Sequence, residues 1–289
     1  MESFDLGILF GIIAMFGYGL SNAMSQPPSK KLGAEKTIFF RNVFISAFLL
    51  ILVLFFIRES IFSIEYIIIA LGISLIGFIP LLTFLKALKV GKVGIISPIS
   101  NSSVIFTIIL SILFFGETLS IEQGISIGVI LLGIVLVSLD FKDLKQSKLF
   151  QMSSGVPYAL ITCLLWGVVF FLFKIPVNVL GPILTSFIIE FGIMLHGGLY
   201  ILVSKIKFEV PDKKMLVHIG LIGFFGMLGT LFFNLGISTA NVSIVAALTF
   251  ANPLVASIYA KIFYKEELSS QQYLAILLIV LGVVALSYF

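Results

Sequence analysis

Residues 84–138 read FLKALKVGKVGIISPISNSSVIFTIILSILFFGETLSIEQGISIGVILLGIVLVS, and residues 233–287 align with this stretch without a gap. Fifteen of the 55 aligned positions are identical. The polar and glycine identities pair Glu117 with Glu266, Ser120 with Ser269, Gln123 with Gln272 and Gly133 with Gly282. Further upstream, Gly7 matches Gly155, and Tyr18–Gly19 matches Trp166–Gly167. Self-similarity at an offset of 148 to 149 residues predicts that the chain is a duplication of one structural unit.

The composition indicates a membrane protein. Of the 289 residues, 60% are hydrophobic and 11% are charged, against roughly 25% charged residues in an ordinary soluble domain. A soluble fold of this size would have to cover its surface with Ile, Leu and Phe, which soluble monomers avoid. The apolar residues also form long continuous runs, which are typical of transmembrane helices and not of transmembrane strands.

Ten apolar runs can be delimited, and we number them spans 1 to 10. They cover residues 6–24, 37–57, 64–86, 93–115, 120–139, 154–174, 181–203, 214–236, 241–263 and 270–288. Each run has about the 20 residues that a membrane-crossing helix needs. The sequence therefore predicts an all-α membrane protein with ten transmembrane helices in two five-helix repeats. We expect the first repeat over 1–139, a cytoplasmic linker over 140–153 and the second repeat over 154–289.

The placement of lysine predicts the orientation. Fifteen lysines lie in or beside the loops that join spans 1–2, 3–4, 5–6, 7–8 and 9–10, whereas the opposite side carries only Arg58 and Lys174. By the positive-inside rule the lysine-rich side is cytoplasmic and both termini lie outside. Because each repeat has an odd number of spans, the second repeat is inverted relative to the first, as in many transporters. We expect a multi-pass protein of the plasma (cell inner) membrane for which a monomer is plausible.

Polar side chains recur at helical spacing near the middle of five spans. These candidate substrate-binding residues are Tyr18 and Asn22 in span 1, Ser97, Ser100 and Asn101 in span 4, Trp166 in span 6, Thr230 and Asn234 in span 8, and Thr249 and Asn252 in span 9. Each alone could join two helices by a hydrogen bond, but five such stripes together favour a polar cavity. Pro98 and Pro253 interrupt spans 4 and 9, either as packing kinks or as hinges.

Glu190 is the only carboxylate well inside a span. An intramembrane acid is costly and by default functional, and three roles are open. Glu190 carries a proton, binds a cationic solute, or neutralises a buried Lys or Arg. We include it among the substrate-binding residues, and protons are the candidate coupling ion.

Several kinds of chemistry find no support in the sequence. Cys163 is the only cysteine, which excludes an internal disulfide and a cysteine-based metal site. The chain has no Gly-rich phosphate-binding loop, so ATP does not drive it directly. We expect no cofactor, no metal, no nucleic acid and no enzymatic activity, and a small-molecule substrate and the lipid bilayer as partners.

Four features together resemble the drug/metabolite transporter superfamily, and most closely its EamA-type exporters. They are the two five-span halves, the aromatic–Gly pairs Tyr18–Gly19 and Trp166–Gly167, Arg41 early in span 2, and Gly116–Glu117–Thr118–Leu119 after span 4. The resemblance implies a small-metabolite carrier whose cavity is lined mainly by spans 1, 3, 4, 6, 8 and 9. The second half departs from the family pattern, because it has Glu190 where the first half has Arg41.

The leading hypothesis is a secondary transporter, and specifically an exporter, of a small organic metabolite such as an amino acid, working by alternating access. The alternative is an uptake carrier or exchanger for a cationic or sugar-like solute. An intramembrane enzyme or a scaffold subunit is the alternative of another class. An enzyme would need a nucleophile–base pair, for which Cys163 and the two distant histidines are poor material.

Overall fold

The computed structural model describes residues 2–56, 62–138 and 151–289. Within these ranges the chain forms helices and no strand. The helices are α1 Glu2–Met24, α2 Gln26–Leu32, α3 Ala34–Phe56, α4 Ile64–Val90, α5 Val93–Asn101, α6 Val104–Phe115, α7 Ile121–Ser138, α8 Val156–Leu172, α9 Lys174–Leu180, α10 Pro182–Val203, α11 Lys213–Thr239, α12 Val242–Thr249, α13 Pro253–Phe263 and α14 Ser270–Leu286. Arg58, three of the loop lysines (Lys142, Lys145 and Lys148) and residues 140–150 of the expected linker lie outside the described residues.

The ten predicted spans are confirmed. Eight segments are long and apolar enough to cross a membrane. They correspond to spans 1 to 4 and 6 to 9, and the segments of spans 1 and 6 extend beyond the predicted ends, to Leu32 and Leu180. Spans 5 and 10 are the shorter apolar helices Ile121–Val137 and Ser270–Leu286. The fold is therefore an all-α membrane protein with two repeats of five spans.

Four spans consist of two helices each. Spans 1 and 6 break at Ser25 and Phe173, and spans 4 and 9 break at residues 102–103 and 250–252. Proline is tolerated in the first turn of a helix because its missing N–H would have no partner there, and Pro253 opens α13 in this way. Since spans 1 and 6 are repeat equivalents, as are spans 4 and 9, broken helices are a property of the repeated unit.

Glycine contacts between the halves follow the same pseudo-two-fold symmetry. A Cβ atom on Gly19 would lie 2.6 Å from the Cβ of Val255, and one on Gly167 would lie 2.4 Å from the Cβ of Phe106. The two contacts are related by the repeat offset. Neither position has room for a side chain, so glycine after the aromatic residue lets span 1 approach span 9 and span 6 approach span 4.

The other identities of the repeat also have structural roles. Spans 5 and 10 cross at Gly133 and Gly282, where an added Cβ would lie 2.6 Å from an isoleucine of the other span in each case. Ser120 and Gln123 exchange hydrogen bonds of 3.0 and 3.1 Å at the start of α7. Ser269 and Gln272 form the same capping box at the start of α14. Each box satisfies two backbone N–H groups at a helix end.

Two details of the sequence interpretation are wrong. Lys174 does not lie in a loop, because it begins α9 inside the apolar segment Val156–Leu180. The counterpart of Glu190 is not Arg41, because α3 and α10 begin 148 residues apart. This register pairs Glu190 with Asn42.

Candidate functional site

A cavity lies where the broken spans meet. Seven spans line it, through Tyr18, Asn22, Arg41, Gly77, Leu81, Asn101, Trp166, Val169, Phe170, Phe173, Glu190, Ile193, Phe250 and Asn252. Tyr18, Trp166 and Asn252 lie eight or more residues from both ends of their spans. At a rise of about 1.5 Å per helical residue, these side chains lie deep in the membrane.

One wall of the cavity is aromatic. The ring of Phe170 contacts Tyr18 and Phe250 edge-to-face, with ring centroids 5.8 and 4.7 Å apart. Trp166 packs on Phe84 at 5.0 Å between centroids. Such walls bury a large apolar area, and their π faces attract cations.

A chain of hydrogen bonds runs from Tyr18, which also belongs to the aromatic wall, to Glu190. The Tyr18 hydroxyl donates to Thr230 Oγ1 at 2.9 Å, and the Thr230 hydroxyl donates to Glu190 Oε1. Asn42 Nδ2 donates to Glu190 Oε2 at 2.6 Å, and Asn42 Oδ1 accepts from Arg41 Nη1 at 3.0 Å. Glu190 and Arg41 are only 5% and 4% exposed. Both oxygens of the buried carboxylate are thus hydrogen-bonded, as a buried charge requires.

The two broken spans 4 and 9 meet through their asparagines. Asn252 Nδ2 donates to Asn101 Oδ1 at 2.8 Å, and Asn101 Nδ2 donates to the Ser97 carbonyl at 2.7 Å. Asn252 Oδ1 is buried and has no hydrogen-bond partner among the described residues. An unsatisfied buried acceptor is costly, so this oxygen is available to a polar ligand in the cavity.

The structure brings six of the eleven predicted substrate residues into the cavity lining: Tyr18, Asn22, Asn101, Trp166, Glu190 and Asn252. Thr230 lies directly behind them, between Tyr18 and Glu190.

Besides Thr230, four predicted residues lie outside the cavity lining. Ser97 accepts a hydrogen bond from Asn101, and the buried Ser100 hydroxyl has no partner among the described residues. Asn234 donates to Ser186 at 2.8 Å and Thr249 to the Gly11 carbonyl at 3.5 Å. The last two join neighbouring helices, which is the packing role left open above.

The lining also differs from the set of spans that the family resemblance implies. Spans 2 and 7 contribute Arg41, Glu190 and Ile193, whereas span 8 contributes no lining residue among those described. The two prolines flank the breaks: Pro98 lies within α5 and Pro253 begins α13. Their repeat offset is 155 and not 149, so the breaks are repeat-equivalent but the prolines are not.

The residues of the site that sequence reasoning missed include Arg41 as a lining residue, Asn42, Phe170 and Phe250. Phe170 and Phe250 carry no signal among 30 phenylalanines. Asn42 did carry a signal in the sequence, because it lies 148 residues before Glu190, which is the repeat offset. A metal site has no support here, since no group of three His, Cys, Asp or Glu is close together in the described parts of the chain.

Repeat-related carboxylates close the two ends of the bundle. Glu117 follows span 4 and accepts hydrogen bonds at the start of α12, from Val242 N at 2.6 Å and from Ser243 N and Oγ at 2.9 and 2.6 Å. Glu266 follows span 9 and accepts at the start of α5, from Val93 N at 3.3 Å and Gly94 N at 3.1 Å. Each carboxylate thus caps the positive end of a helix from the other repeat.

A second pair of side chains accompanies these caps. Lys174 donates to the carbonyl of Ile237, in the last turn of α11, and its repeat equivalent Gln26 donates to the Gly91 carbonyl, just after α4, at 2.9 Å. We call Glu117, Val242, Ser243, Lys174 and Ile237 the Glu117 cluster. We call Glu266, Val93, Gly94, Gln26 and Gly91 the Glu266 cluster. Since spans 4 and 9 run in opposite directions, the two clusters lie at opposite ends of the bundle.

Comparison with known proteins identifies the fold and the family. The EamA-like transporter family matches residues 5–139 and 153–288. An uncharacterized transporter of Archaeoglobus fulgidus is 22% identical over 282 residues, which are 97% of this chain and 98% of that protein. A solved crystal structure superposes with a TM-score of 0.67 at 15% identity, and the match covers 96% of this chain and 95% of that one.

A further relative is similar to one half only. An uncharacterized protein of Methanocaldococcus jannaschii is 30% identical over 142 residues, which are 98% of that protein but 47% of this chain. A relative of about half the length fits a chain made by duplication of a five-span unit. From these matches and from its ten-span fold, the chain belongs to the EamA-like transporter family and carries a solute across a membrane.

Proposed function

We propose that the protein is a secondary transporter that exports a small organic metabolite, such as an amino acid, by alternating access. The observation that carries this proposal is the cavity at mid-depth, whose lining combines aromatic rings with a buried network that contains both a guanidinium and a carboxyl group. A pocket of this chemistry suits a solute with an apolar body and two opposite charges.

The chemistry of the cavity supports a zwitterion over a plain cation. Glu190 already accepts hydrogen bonds at both oxygens, so it has little capacity left for a solute ammonium. The rings of Trp166 and Phe170 offer π faces on which an ammonium is stabilised, by about 2 kcal/mol when it is desolvated. Asn252 Oδ1 adds an acceptor without a partner. Of the three roles for Glu190, neutralisation of Arg41 has the strongest support.

The two end clusters support alternating access. Both carboxylates lie between the repeats, and both are engaged in this conformation. We propose that the cavity opens toward one end when the Glu117 cluster separates and toward the other when the Glu266 cluster separates. The breaks that Pro98 and Pro253 flank act as hinges in this scheme. Protons remain the candidate coupling ion.

The remaining expectations complete the proposal. The lysine-rich end is cytoplasmic, both termini lie outside, and the protein works as a monomer in the plasma membrane. The repeats extend over 1–139 and 154–289, joined by a cytoplasmic linker. Uptake or exchange of a cationic or sugar-like solute is the alternative, and the aromatic faces together with Asn252 Oδ1 are the observations that favour it.

Purified protein in liposomes tests the proposal. Trp166 is the only tryptophan and lines the cavity, so its fluorescence reports on ligand binding without a label. We expect that amino acids that change Trp166 emission also show saturable counterflow. As a matched control, Ser238→Ala changes an exposed hydroxyl and should leave both readouts unchanged. Binding of amino acids without any flux would overturn the transport proposal.

A further inference from the structure

Arg41 is a buried cation whose guanidinium group has no direct contact with a carboxylate in the described part of the chain. Among the described residues, no carboxylate oxygen lies within 4.0 Å of its guanidinium nitrogens. Its Nε donates to Ser21 Oγ at 3.4 Å, and its Nη1 donates to Asn42 Oδ1 at 3.0 Å. Nη2 makes no hydrogen bond to any described residue, although the side chain lines the cavity. A buried guanidinium in this condition is costly unless a ligand completes its shell.

Asn42 connects this cation to Glu190. Its side chain is fully buried and uses both ends of the amide, accepting from Arg41 and donating to Glu190. The carboxylate also accepts from Thr230 and is therefore fixed on both sides. The side-chain amide of Asn42 thus bridges the guanidinium group of Arg41 and the carboxyl group of Glu190. The bridge fixes the orientation of the guanidinium while leaving its remaining N–H groups unbound.

We propose that Arg41 binds the carboxylate of the transported solute and that Asn42, held by Glu190, is the positioning residue that orients the guanidinium group. This inference rests on the proposed function, because it takes the cavity as the solute site. A guanidinium presents a planar fork that matches a carboxylate in two parallel hydrogen bonds. The Arg41–Glu190 pair is neutral, so a net neutral solute preserves the charge balance of the buried cavity.

Carboxylates and phosphates share the chemistry that this fork recognises. A phosphate monoester carries about two negative charges at neutral pH and would leave the cavity with excess negative charge. We therefore commit to a carboxylate with one negative charge, and phosphate enters the experiment as a separate probe.

The test titrates Trp166 fluorescence with four probes that share a phenyl ring. They are L-phenylalanine, 3-phenylpropionate without the ammonium, phenethylamine without the carboxylate, and phenyl phosphate. In the wild type we expect phenylalanine to bind most tightly, phenylpropionate next, and the other two weakly. Arg41→Gln should weaken phenylalanine binding by about 10- to 100-fold, the range for losing hydrogen bonds to a charged group, and leave phenethylamine unchanged. Arg41→Lys keeps the charge but lacks the planar fork. Its affinity for phenylalanine should therefore lie between those of the wild type and Arg41→Gln.

Asn42→Ala tests the positioning role. This variant should weaken the binding of the two carboxylate probes by about tenfold, which is the effect of losing one hydrogen bond to a charged group. The affinity for phenethylamine should not change. A purely structural role would weaken all probes equally. Because Arg41→Gln strands Glu190 and could misfold, the double variant Arg41→Gln with Glu190→Gln removes both charges together. Lys36→Gln removes a cation at the start of the same helix, where Nζ donates to the Lys207 carbonyl away from the cavity lining, and should change none of the affinities.

Chemical modification gives a second readout. The chain has only two arginines, so an Arg58→Lys background leaves Arg41 as the single target of phenylglyoxal. Phenylpropionate should protect Arg41, and phenethylamine should not.

The outcomes separate the two proposals. If the carboxylate probes fail to bind, or bind equally to Arg41→Gln, the Arg41 assignment is overturned, even if the protein transports another solute. If phenyl phosphate binds better than phenylpropionate, the commitment to a carboxylate is overturned. If carboxylates bind through Arg41 but no solute crosses the bilayer, the assignment stands and the transport proposal fails.

Discussion

The Glu117 and Glu266 clusters occupy equivalent places in the two repeats but differ in chemistry. Glu117 accepts three hydrogen bonds of 2.6 to 2.9 Å, one of them from the hydroxyl of Ser243. Glu266 accepts two of 3.1 and 3.3 Å, because Gly94 stands where the other repeat has Ser243. Likewise, the cationic Lys174 corresponds to the neutral Gln26. The Glu117 end is therefore held by shorter bonds and one more charge.

This difference shows how a protein with an inverted repeat can favour one of its two open states. Two identical halves would hold both ends equally and would favour neither open state. The repeat-related glycines and capping boxes keep the backbones of the two halves similar. A few polar residues that differ between the two ends make the free energies of opening those ends unequal. We expect the unliganded protein to open more often at the Glu266 end, which is the lysine-rich and expected cytoplasmic side.

The largest effect should come from locking one end. In a Cys163→Ala background, Glu117→Cys with Ser243→Cys can be joined by a short bis(methanethiosulfonate) reagent, which attaches to each thiol through a reducible disulfide and releases methanesulfinate. If both ends must separate in turn, the bridged protein should lose all transport, and reduction should restore it. Glu266→Cys with Gly94→Cys should behave in the same way. The reduced proteins are the controls, and undiminished flux through a bridged protein would contradict the alternating role of that end.

Removing one carboxylate charge at a time should have a smaller effect and should distinguish the ends. Glu117→Gln retains one acceptor but turns an amide donor toward backbone N–H groups. Hydrogen bonds to charged groups contribute about 1.5–3 kcal/mol, so the Glu117 end should open about 10- to 100-fold more often. Glu266→Gln should shift the opposite end by only about fivefold, because its bonds are longer and no hydroxyl takes part.

For Glu117→Gln and Glu266→Gln, the readout is the reactivity of a Leu81→Cys thiol in the Cys163→Ala background. Leu81 lines the cavity. A membrane-impermeant thiol reagent is applied to either face of the membrane in separate vesicle preparations. Lys174→Gln is a useful companion, because it removes the extra charge from the Glu117 end without altering the cap. Equal shifts for Glu117→Gln and Glu266→Gln would mean that the difference in bond length has no energetic consequence.

Most of the fold could be predicted from the sequence because lipid leaves few choices. Apolar runs of about 20 residues must be helices, and the repeat sets their pairing. The register at Glu190 was missed although the sequence contains it, because Gly33 and Thr37 match Gly181 and Thr185 at an offset of 148 residues. The position of Lys174 was missed because a lysine inside a span is costly, and only the carbonyl of Ile237 explains why it is tolerated there.

The candidate site was predicted in part, for a physical reason. Helical spacing shows which polar residues share a face, but it does not show whether that face meets a cavity or another helix. Asn252 and Asn234 give the same signal in the sequence, yet one lines the cavity and the other donates to Ser186. Aromatic lining residues such as Phe170 give no signal in so apolar a chain.

The smallest and sharpest effect should come from exchanging the residues that make the ends unequal. Ser243→Gly removes the hydroxyl that donates to Glu117 at 2.6 Å. Gly94→Ser supplies one at the equivalent place, where an added Cβ would lie 3.1 Å from Glu266 Oε2 and would require that side chain to shift by a few tenths of an ångström. One such bond should contribute about 1 kcal/mol, or about fivefold in the opening of each end.

Removing glycine also favours the helix itself by a few tenths of a kcal/mol, so Gly94→Ala and Ser243→Ala are the matched controls that change the helix propensity without a hydroxyl. We expect Leu81→Cys to become more reactive from the Glu117 end in Ser243→Gly and less reactive from the Glu266 end in Gly94→Ser, with the double variant reversing the preference. If Gly94→Ala shifts the reactivity as much as Gly94→Ser does, the stiffness of the helix start sets the preference, and the hydroxyl bond to the carboxylate does not.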